Sequence, residues 1–160
     1  MMAATTDPPL DREIERKYLL EGLPNTAAAA PSVEIVQGYL PGTKIVERIR
    51  RARQAGTTRF IRTIKLGKGV SRIEIEESMT EQLFDALWPL TEGRRIRKRR
   101  YLVPDGNLIW EIDEFLDQPL VLGEIELPDE RHPTIPQWLA PHVTREVTDE
   151  SAFTNVRLAR

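Results

Sequence analysis

The sequence has no cysteine and only two histidines, and its aromatic share is 6%. Without cysteine there can be no disulfide, zinc–thiolate site, iron–sulfur cluster or thiol nucleophile. The two histidines, His132 and His142, each adjoin a proline, and two are too few for a histidine-rich metal site. No apolar run approaches the ~20 residues that cross a bilayer. Met1 to Leu10 carries neither a basic n-region nor an apolar h-region, so it reads as a disordered tail rather than a secretory signal. The chain also lacks a charge excess: 23 Lys and Arg stand against 25 Asp and Glu, for a net charge of −2 in 160 residues. That balance argues against a basic surface gripping nucleic acid. The expectation is one cytoplasmic domain over residues 11–160, with neither nucleic acid nor membrane as partner.

Alternation with period two dominates from Asp11 to Leu127. It predicts strands at Arg12–Leu19, Val33–Leu40, Lys44–Arg53, Thr57–Leu66 and Val70–Glu77, then at Arg95–Val103, Leu108–Phe115 and Leu120–Leu127. Pro41-Gly42, Gln54-Ala55-Gly56, Gly67-Lys68-Gly69 and Asp105-Gly106 mark turns. A marginal helical turn is expected around Ala27–Ala30. Between the fifth and sixth strands the period changes. Ser78 and Glu81 have capping-box spacing, and Leu83, Phe84, Leu87 and Trp88 share a helical face that Pro89 ends. A short helix is expected near Gln137–Ala140, and a final helix or docked segment after Asp149. Eight antiparallel strands with few helices predict a mainly β fold (α+β), a closed eight-stranded barrel.

Sorting each strand by parity separates two faces. One carries Glu13, Glu15 and Lys17; Arg48 and Arg50; Thr63 and Lys65; Arg72, Glu74 and Glu76; Lys98 and Arg100; Glu111 and Asp113; and Glu124 and Glu126. The other carries Ile14, Ile49, Ile64, Ile73, Ile75, Ile112 and Ile125. In a half-exposed sheet the polar face would simply meet water. Yet this face is nearly all ionised, with few Ser, Thr, Asn or Gln, and its signs are grouped by strand. If the sheet closes with that face inward, an acidic wall faces a basic one. So many enclosed charges require a highly charged ligand and cations. Carboxylates at i, i+2 point the same way and suit Mg²⁺ or Mn²⁺. Arg and Lys at i, i+2 can clamp successive phosphates. Metal-bridged phosphate facing a basic clamp is the apparatus of phosphoryl transfer.

The basic run Arg94–Arg100 splits on the same logic: Lys98 and Arg100 fall on the charged face, Arg97 and Arg99 on the other. Gly67-Lys68-Gly69 lacks the spacing of a phosphate-binding loop and reads as a hairpin turn. Phe84, Trp88 and Trp138 read as packing residues.

Glu13-Ile14-Glu15-Arg16-Lys17 resembles the E-x-E-x-K signature of CYTH-domain proteins, the triphosphate tunnel metalloenzymes. The resemblance continues through Gln37-Gly38-Tyr39-Leu40, Arg48-Ile49-Arg50, Thr63-Ile64-Lys65 and Arg72-Ile73-Glu74-Ile75-Glu76. It runs on through Lys98-Arg99-Arg100-Tyr101, Glu111-Ile112-Asp113 and Gly123-Glu124-Ile125-Glu126-Leu127. Pro136-Gln137-Trp138-Leu139, Glu146-Val147-Thr148-Asp149 and Asn155 resemble the closing segment of short bacterial members. Two features depart from the pattern: Phe153 stands where many members have Tyr, and the sixth strand is unusually basic.

The resemblance implies a barrel enclosing a charged tunnel, a triphosphate substrate and a divalent metal, Mg²⁺ or Mn²⁺. Glu13, Glu15, Glu124 and Glu126 would be the metal carboxylates, and Glu74, Glu76, Glu111 and Asp113 secondary carboxylates. Lys17, Arg48, Arg50, Lys65, Arg72, Lys98 and Arg100 would bind phosphates, with Glu13, Glu15 and Lys17 at the centre of catalysis. The expected activity is hydrolysis of inorganic triphosphate to diphosphate and phosphate. Adenylyl cyclase and thiamine triphosphatase are alternatives in the same fold, and a non-catalytic polyphosphate or nucleotide binder is one from another class. The apolar outer strand faces, more than the few helices cover, point to a homodimer.

Overall fold

The computed structural model describes residues 12–67 and 71–160, with the side chains of Arg12, Ser71 and Arg72 excepted. The expected N-terminal tail and most of the Gly67-Lys68-Gly69 turn lie outside that description. Among the described residues nine strands are formed: β1 Arg12–Leu20, β2 Ser32–Tyr39, β3 Val46–Gln54, β4 Thr57–Leu66, β5 Ser71–Ser78, β6 Arg95–Asp105, β7 Leu108–Phe115, β8 Val121–Glu126 and β9 Val143–Glu146. They make one antiparallel sheet in the order β5-β4-β3-β2-β6-β7-β8-β1-β9. β1 has further work at its first residues, where Arg12, Glu13 and Ile14 pair with Ile73, Arg72 and Ser71 of β5.

The count of nine corrects the expected eight. β9 is only four residues long and shows no clear alternation, so periodicity could not reveal it. Its signal is tertiary: it pairs with the edge of β1 at Tyr18–Leu20, while Glu15–Leu20 pairs with β8 on the other side. The two-residue turn joining β3 and β4 holds Ala55 at φ 49° and Gly56 at φ 81°, both left-handed, as a tight hairpin of this hand requires.

Among the described residues there are three short helices: α1 Asn25–Ala28, α2 Glu81–Leu87 and α3 Asn155–Leu158. The cap of α2 is Thr80 rather than Ser78, its hydroxyl accepting from the Leu83 amide at 3.1 Å. Ser78 is instead the last residue of β5, because sheet pairing with Ile61 extends that strand. Leu83, expected on the packed face, is exposed. α2 does end before Pro89, at Leu87 with Trp88 as its cap, and Pro89 then sits early in a 3-10 turn, Trp88–Thr91, a position that needs no amide donor. The turn lies against β2 so closely that a Cβ on Gly38 would sit 2.5 Å from the Thr91 side chain. The helix expected near Gln137–Ala140 is a 3-10 turn at Ala140–His142.

The apolar residues form three clusters. The largest joins Tyr18, Leu20, Tyr101, Val103, Trp110, Ile112 and Ile125 on one side of β1, β6, β7 and β8. It is covered by the chain's own Leu23, Ile135, Trp138, Leu139 and Val143, so much of the outer surface that suggested a second copy is already buried. Each such side chain contributes about 2 kcal/mol by leaving water. The second cluster lies on the charged face at one end of the strands. There Tyr39, Ile96, Phe115 and Leu122 meet Phe153, Leu158 and Ala159 of the C-terminal segment. Arg95 and Arg160 exchange both backbone hydrogen bonds at 2.9 Å, which fixes that segment. The third cluster, Val33, Ile35 and Ala52 with Leu102, lies on the same face farther along.

Candidate active site

Register carries the sequence pairs into one place. Strand alternation turns Glu13 and Glu15 of β1 to the same face as Glu124 and Glu126 of β8, where Glu15 stands opposite Glu126 and Lys17 opposite Glu124. On the far side, Arg48 and Arg50 of β3 face Thr63 and Ile61 of β4, and Thr63 and Lys65 face Glu76 and Glu74 of β5. Most of these side chains converge on a cavity of about 310 Å³. It is lined by Glu13, Glu15, Glu124, Glu126, Glu111, Glu74 and Glu76 and by Arg48, Arg50, Lys65 and Arg100, with Ile109 and Asn155 completing the wall.

Eleven residues singled out from sequence therefore line the cavity. Three others stand behind the wall: Lys98 and Asp113 are fully buried, and Lys17 nearly so. The side chain of Arg72 lies outside the described residues. Asn155 belongs to the closing segment, and its place in the cavity wall depends on the docked C-terminus, which alternation cannot read. Gln37 and Tyr39 share the parity of the charged face but are neutral. Gln37 accepts from Arg50 Nε at 3.0 Å and donates to the Tyr39 hydroxyl at 3.2 Å, so it aims the Arg50 guanidinium.

The basic side of the cavity is cross-braced. Lys98 Nζ donates to Asp113 at 2.5 Å and to Asn155 Oδ1 at 3.3 Å. Arg100 holds Asp113 with two parallel bonds of 2.7 Å and reaches Glu124 at 3.1 Å. Lys17 Nζ pairs with Glu124 at 3.1 Å and donates to the Phe153 carbonyl at 3.3 Å. Burial opposes ionisation of Asp113, but Arg100 and Lys98 outweigh it and hold the carboxyl below its ordinary value. Glu124 is likewise held well down by Lys17, Arg100 and Lys98 against its burial. Burial lowers Lys98 to about 8, with Arg100 adding to the effect and Asp113 opposing it. Burial beside Arg48 and Arg100 also lowers Arg50. A cation in that position gains from any anion brought to it.

The acidic side is less settled. Burial, Glu74 and Glu126 raise the Glu13 carboxyl to about 8. Glu74 is held at about 2, Lys65 and Arg48 overcoming its burial. The two form a pair in which Glu13 keeps the proton and Glu74 the charge. Burial also raises Glu111, against the pull of Arg100. Crowded carboxylates that retain a proton are a donor set a divalent cation would relieve, and all-oxygen ligands fit Mg²⁺ or Mn²⁺. Among the described residues, however, no three acidic or histidine side chains converge tightly enough to form a ready-made cage. Lys17 and Arg100 engage Glu124, and Lys65 engages Glu74 at 2.7 Å.

Among the described residues no helix is long and apolar enough to cross a membrane. No family model matches the chain. An inorganic triphosphatase of Nitrosomonas europaea is 40% identical to it over 154 residues, 92% of this chain and 96% of that protein. An inorganic triphosphatase of Acetivibrio thermocellus is 32% identical over 155 residues, 94% of this chain and 95% of that one. A crystal structure of an inorganic triphosphatase is similar with a TM-score of 0.63 and 33% identity, covering 92% of this chain and 93% of its own. Two relatives matched along nearly the whole of both chains settle the kinship: the chain belongs to the inorganic triphosphatase family.

Proposed function

We propose that the protein hydrolyses inorganic triphosphate to diphosphate and phosphate, with Mg²⁺ or Mn²⁺ held on Glu13, Glu15, Glu124 and Glu126. The observation that carries this reading is the cavity in which seven glutamates face Arg48, Arg50, Lys65 and Arg100. A cavity built only to bind anions would gain nothing from so many carboxylates. The names of the relatives point to the same substrate. The pairing of β1 with β5 supports closure of the first eight strands into a tunnel around the cavity.

In this reading Arg48, Arg50, Lys65 and Arg100 clamp the phosphate oxygens, with Lys17 and Lys98 adding positive charge from behind. Gln37 and Asp113 hold Arg50 and Arg100 in place before substrate arrives, so less ordering is lost at binding. A water oxygen bonds to a terminal phosphorus, the bridging P–O bond breaks, and diphosphate leaves. A bound divalent cation would offset phosphate charge and favour ionisation of the attacking water. The basic wall neutralises what remains as charge shifts to the leaving group.

The test is phosphate release from inorganic triphosphate, ATP and thiamine triphosphate, with Mg²⁺ and Mn²⁺ in turn. Fastest release from inorganic triphosphate is expected. Cyclic product from ATP, or preference for thiamine triphosphate, would assign one of the same-fold alternatives. Tight binding without release at any metal concentration would make the protein a binder rather than an enzyme.

A further inference from the structure

On the opposite face of the same strands the arginines are arranged differently. The alternation that turns Arg48 and Arg50 into the cavity turns Arg51 and Arg53 away from it, and Arg97 and Arg99 likewise alternate with Lys98 and Arg100. Register sets these four in two rows across β2: Arg51, Val36 and Arg97 in one, Arg53, Glu34 and Arg99 in the other. Neighbours are spaced about 7 Å along a strand and about 10 Å across β2. Arg53, Arg97 and Arg99 are exposed and Arg51 is half-buried.

Several outward arginines elsewhere on the surface are neutralised, although Arg59, Arg94 and Arg157 are also exposed without an ion pair among the described residues. Arg62 pairs with Glu47 and Glu77, Arg131 with Asp129, and Arg145 with Glu150. Among the described residues, Arg51, Arg53, Arg97 and Arg99 have no ion pair, although Glu34 stands between two of them and Arg99 meets the Tyr101 hydroxyl, which donates to the Glu114 opposite Arg99. Four guanidinium groups at this spacing repel one another, and a multivalent anion removes that repulsion.

We propose that the outer face of β3, β2 and β6 is a docking surface for linear inorganic polyphosphate, held by Arg51, Arg53, Arg97 and Arg99. The guanidinium fork matches phosphate oxygens, and two parallel rows match a ligand of repeating charge rather than a single ion. Single-stranded nucleic acid fits less well, because it needs open aromatic rings for its bases. The nearby rings are engaged: Phe60 packs on Phe84 with centroids 5.2 Å apart, and Trp88 lies under Arg95 at 4.3 Å. The rows end beside Thr58 and Phe60, which line a groove of about 410 Å³ together with Arg59 and Glu76. Glu76 also lines the main cavity, so the docking face adjoins the site where phosphoanhydrides would be cut. The choice of a phosphate chain as occupant rests on the triphosphatase reading; the unpaired patch does not.

The test measures binding of the full chain to a linear polyphosphate tens of phosphates long, across a series of NaCl concentrations. Single-stranded RNA and poly-glutamate of equal charge are the comparison probes. The variant Arg51→Gln, Arg53→Gln, Arg97→Gln, Arg99→Gln should bind polyphosphate at least tenfold more weakly. The slope of log affinity against log salt should fall by about one per arginine removed. Its rate of triphosphate hydrolysis should match wild type. Unchanged polyphosphate affinity, or equal or tighter binding of RNA or poly-glutamate by the wild type, overturns the proposal. If the fourfold variant fails to fold, Arg51→Gln with Arg97→Gln and Arg53→Gln with Arg99→Gln should each lose about half the slope. A wild type that binds polyphosphate through these arginines but releases no phosphate would overturn the triphosphatase reading alone.

Discussion

Two halves of one cavity wall handle charge in opposite ways. Around Lys98, Asp113 and Arg100 the charges are buried, braced and matched, the Lys98 and Asp113 side chains both being 0% exposed. Around Glu13, Glu74 and Lys65 the wall is partly open, and Glu76 is 49% exposed although it pairs with Arg48 at 3.2 Å. The first half has its counter-charges built in and is set before any ligand arrives. The second has more carboxylate than nearby cation can satisfy and holds a proton on Glu13 instead. A rigid cationic clamp opposite an adjustable acidic wall suits a ligand that brings both phosphate and metal.

The largest break in this comparison should come from Asp113→Asn. It leaves Lys98 and Arg100 buried without their shared counter-charge, and such losses cost about 3–5 kcal/mol. Urea denaturation should show the midpoint falling by a correspondingly large amount. A loss below about 1 kcal/mol would mean that the braced half is not braced. Glu13→Gln should act the other way round. The Glu13 carboxyl already carries a proton shared with Glu74, so an amide replaces it with little effect on stability. Activity should nonetheless fall on the order of 100-fold, with weaker Mg²⁺ binding by calorimetry. Wild-type turnover in this variant would reject its assignment to the metal.

How far this wall could be read from sequence follows from parity. Alternation alone identified Glu13, Glu15, Glu124 and Glu126 as facing one way, and the structure gathers them at one cavity. It could not tell wall from backing: Lys98 and Arg100 share a parity, yet Arg100 lines the cavity and Lys98 lies fully buried behind it. That difference arises from Asn155 and the C-terminal segment, whose position is fixed by long-range contacts such as the Arg95–Arg160 backbone pair. β9 escaped for the same reason, since its four residues owe their extended form to the edge of β1. The cap of α2 was misplaced by two residues because sheet pairing kept Ser78 for β5.

A smaller effect sharpens the comparison through pH. Lys98 has a proton affinity near 10.5 in the unfolded chain and about 8 when folded. Between those values unfolding takes up a proton, so the fold gains stability as pH rises from about 8 towards 10.5. Below about 8 the cost of burying the charge is constant. Substrate binding should run in the opposite direction, because the clamp loses a positive charge as Lys98 deprotonates. KM for triphosphate should be level below about pH 8 and rise up to about tenfold by pH 9. Stability and affinity moving together over this range would exclude Lys98 as the group responsible.

The smallest effect should come from Asn155, the C-terminal segment's own contact with the braced half. Its side-chain oxygen accepts from Lys98 at 3.3 Å, a long bond that favours the charged ammonium. Asn155→Ala should cost about 1 kcal/mol and move the break in the KM profile to lower pH. Asn155→Asp adds a negative charge at the same place and should move the break to higher pH. A residue that merely fills space would shift stability in both variants and leave the break where it was. Opposite shifts in the two would show that the last turn of the chain sets the charge on the clamp, and that the rigid half is completed only when the C-terminal segment docks.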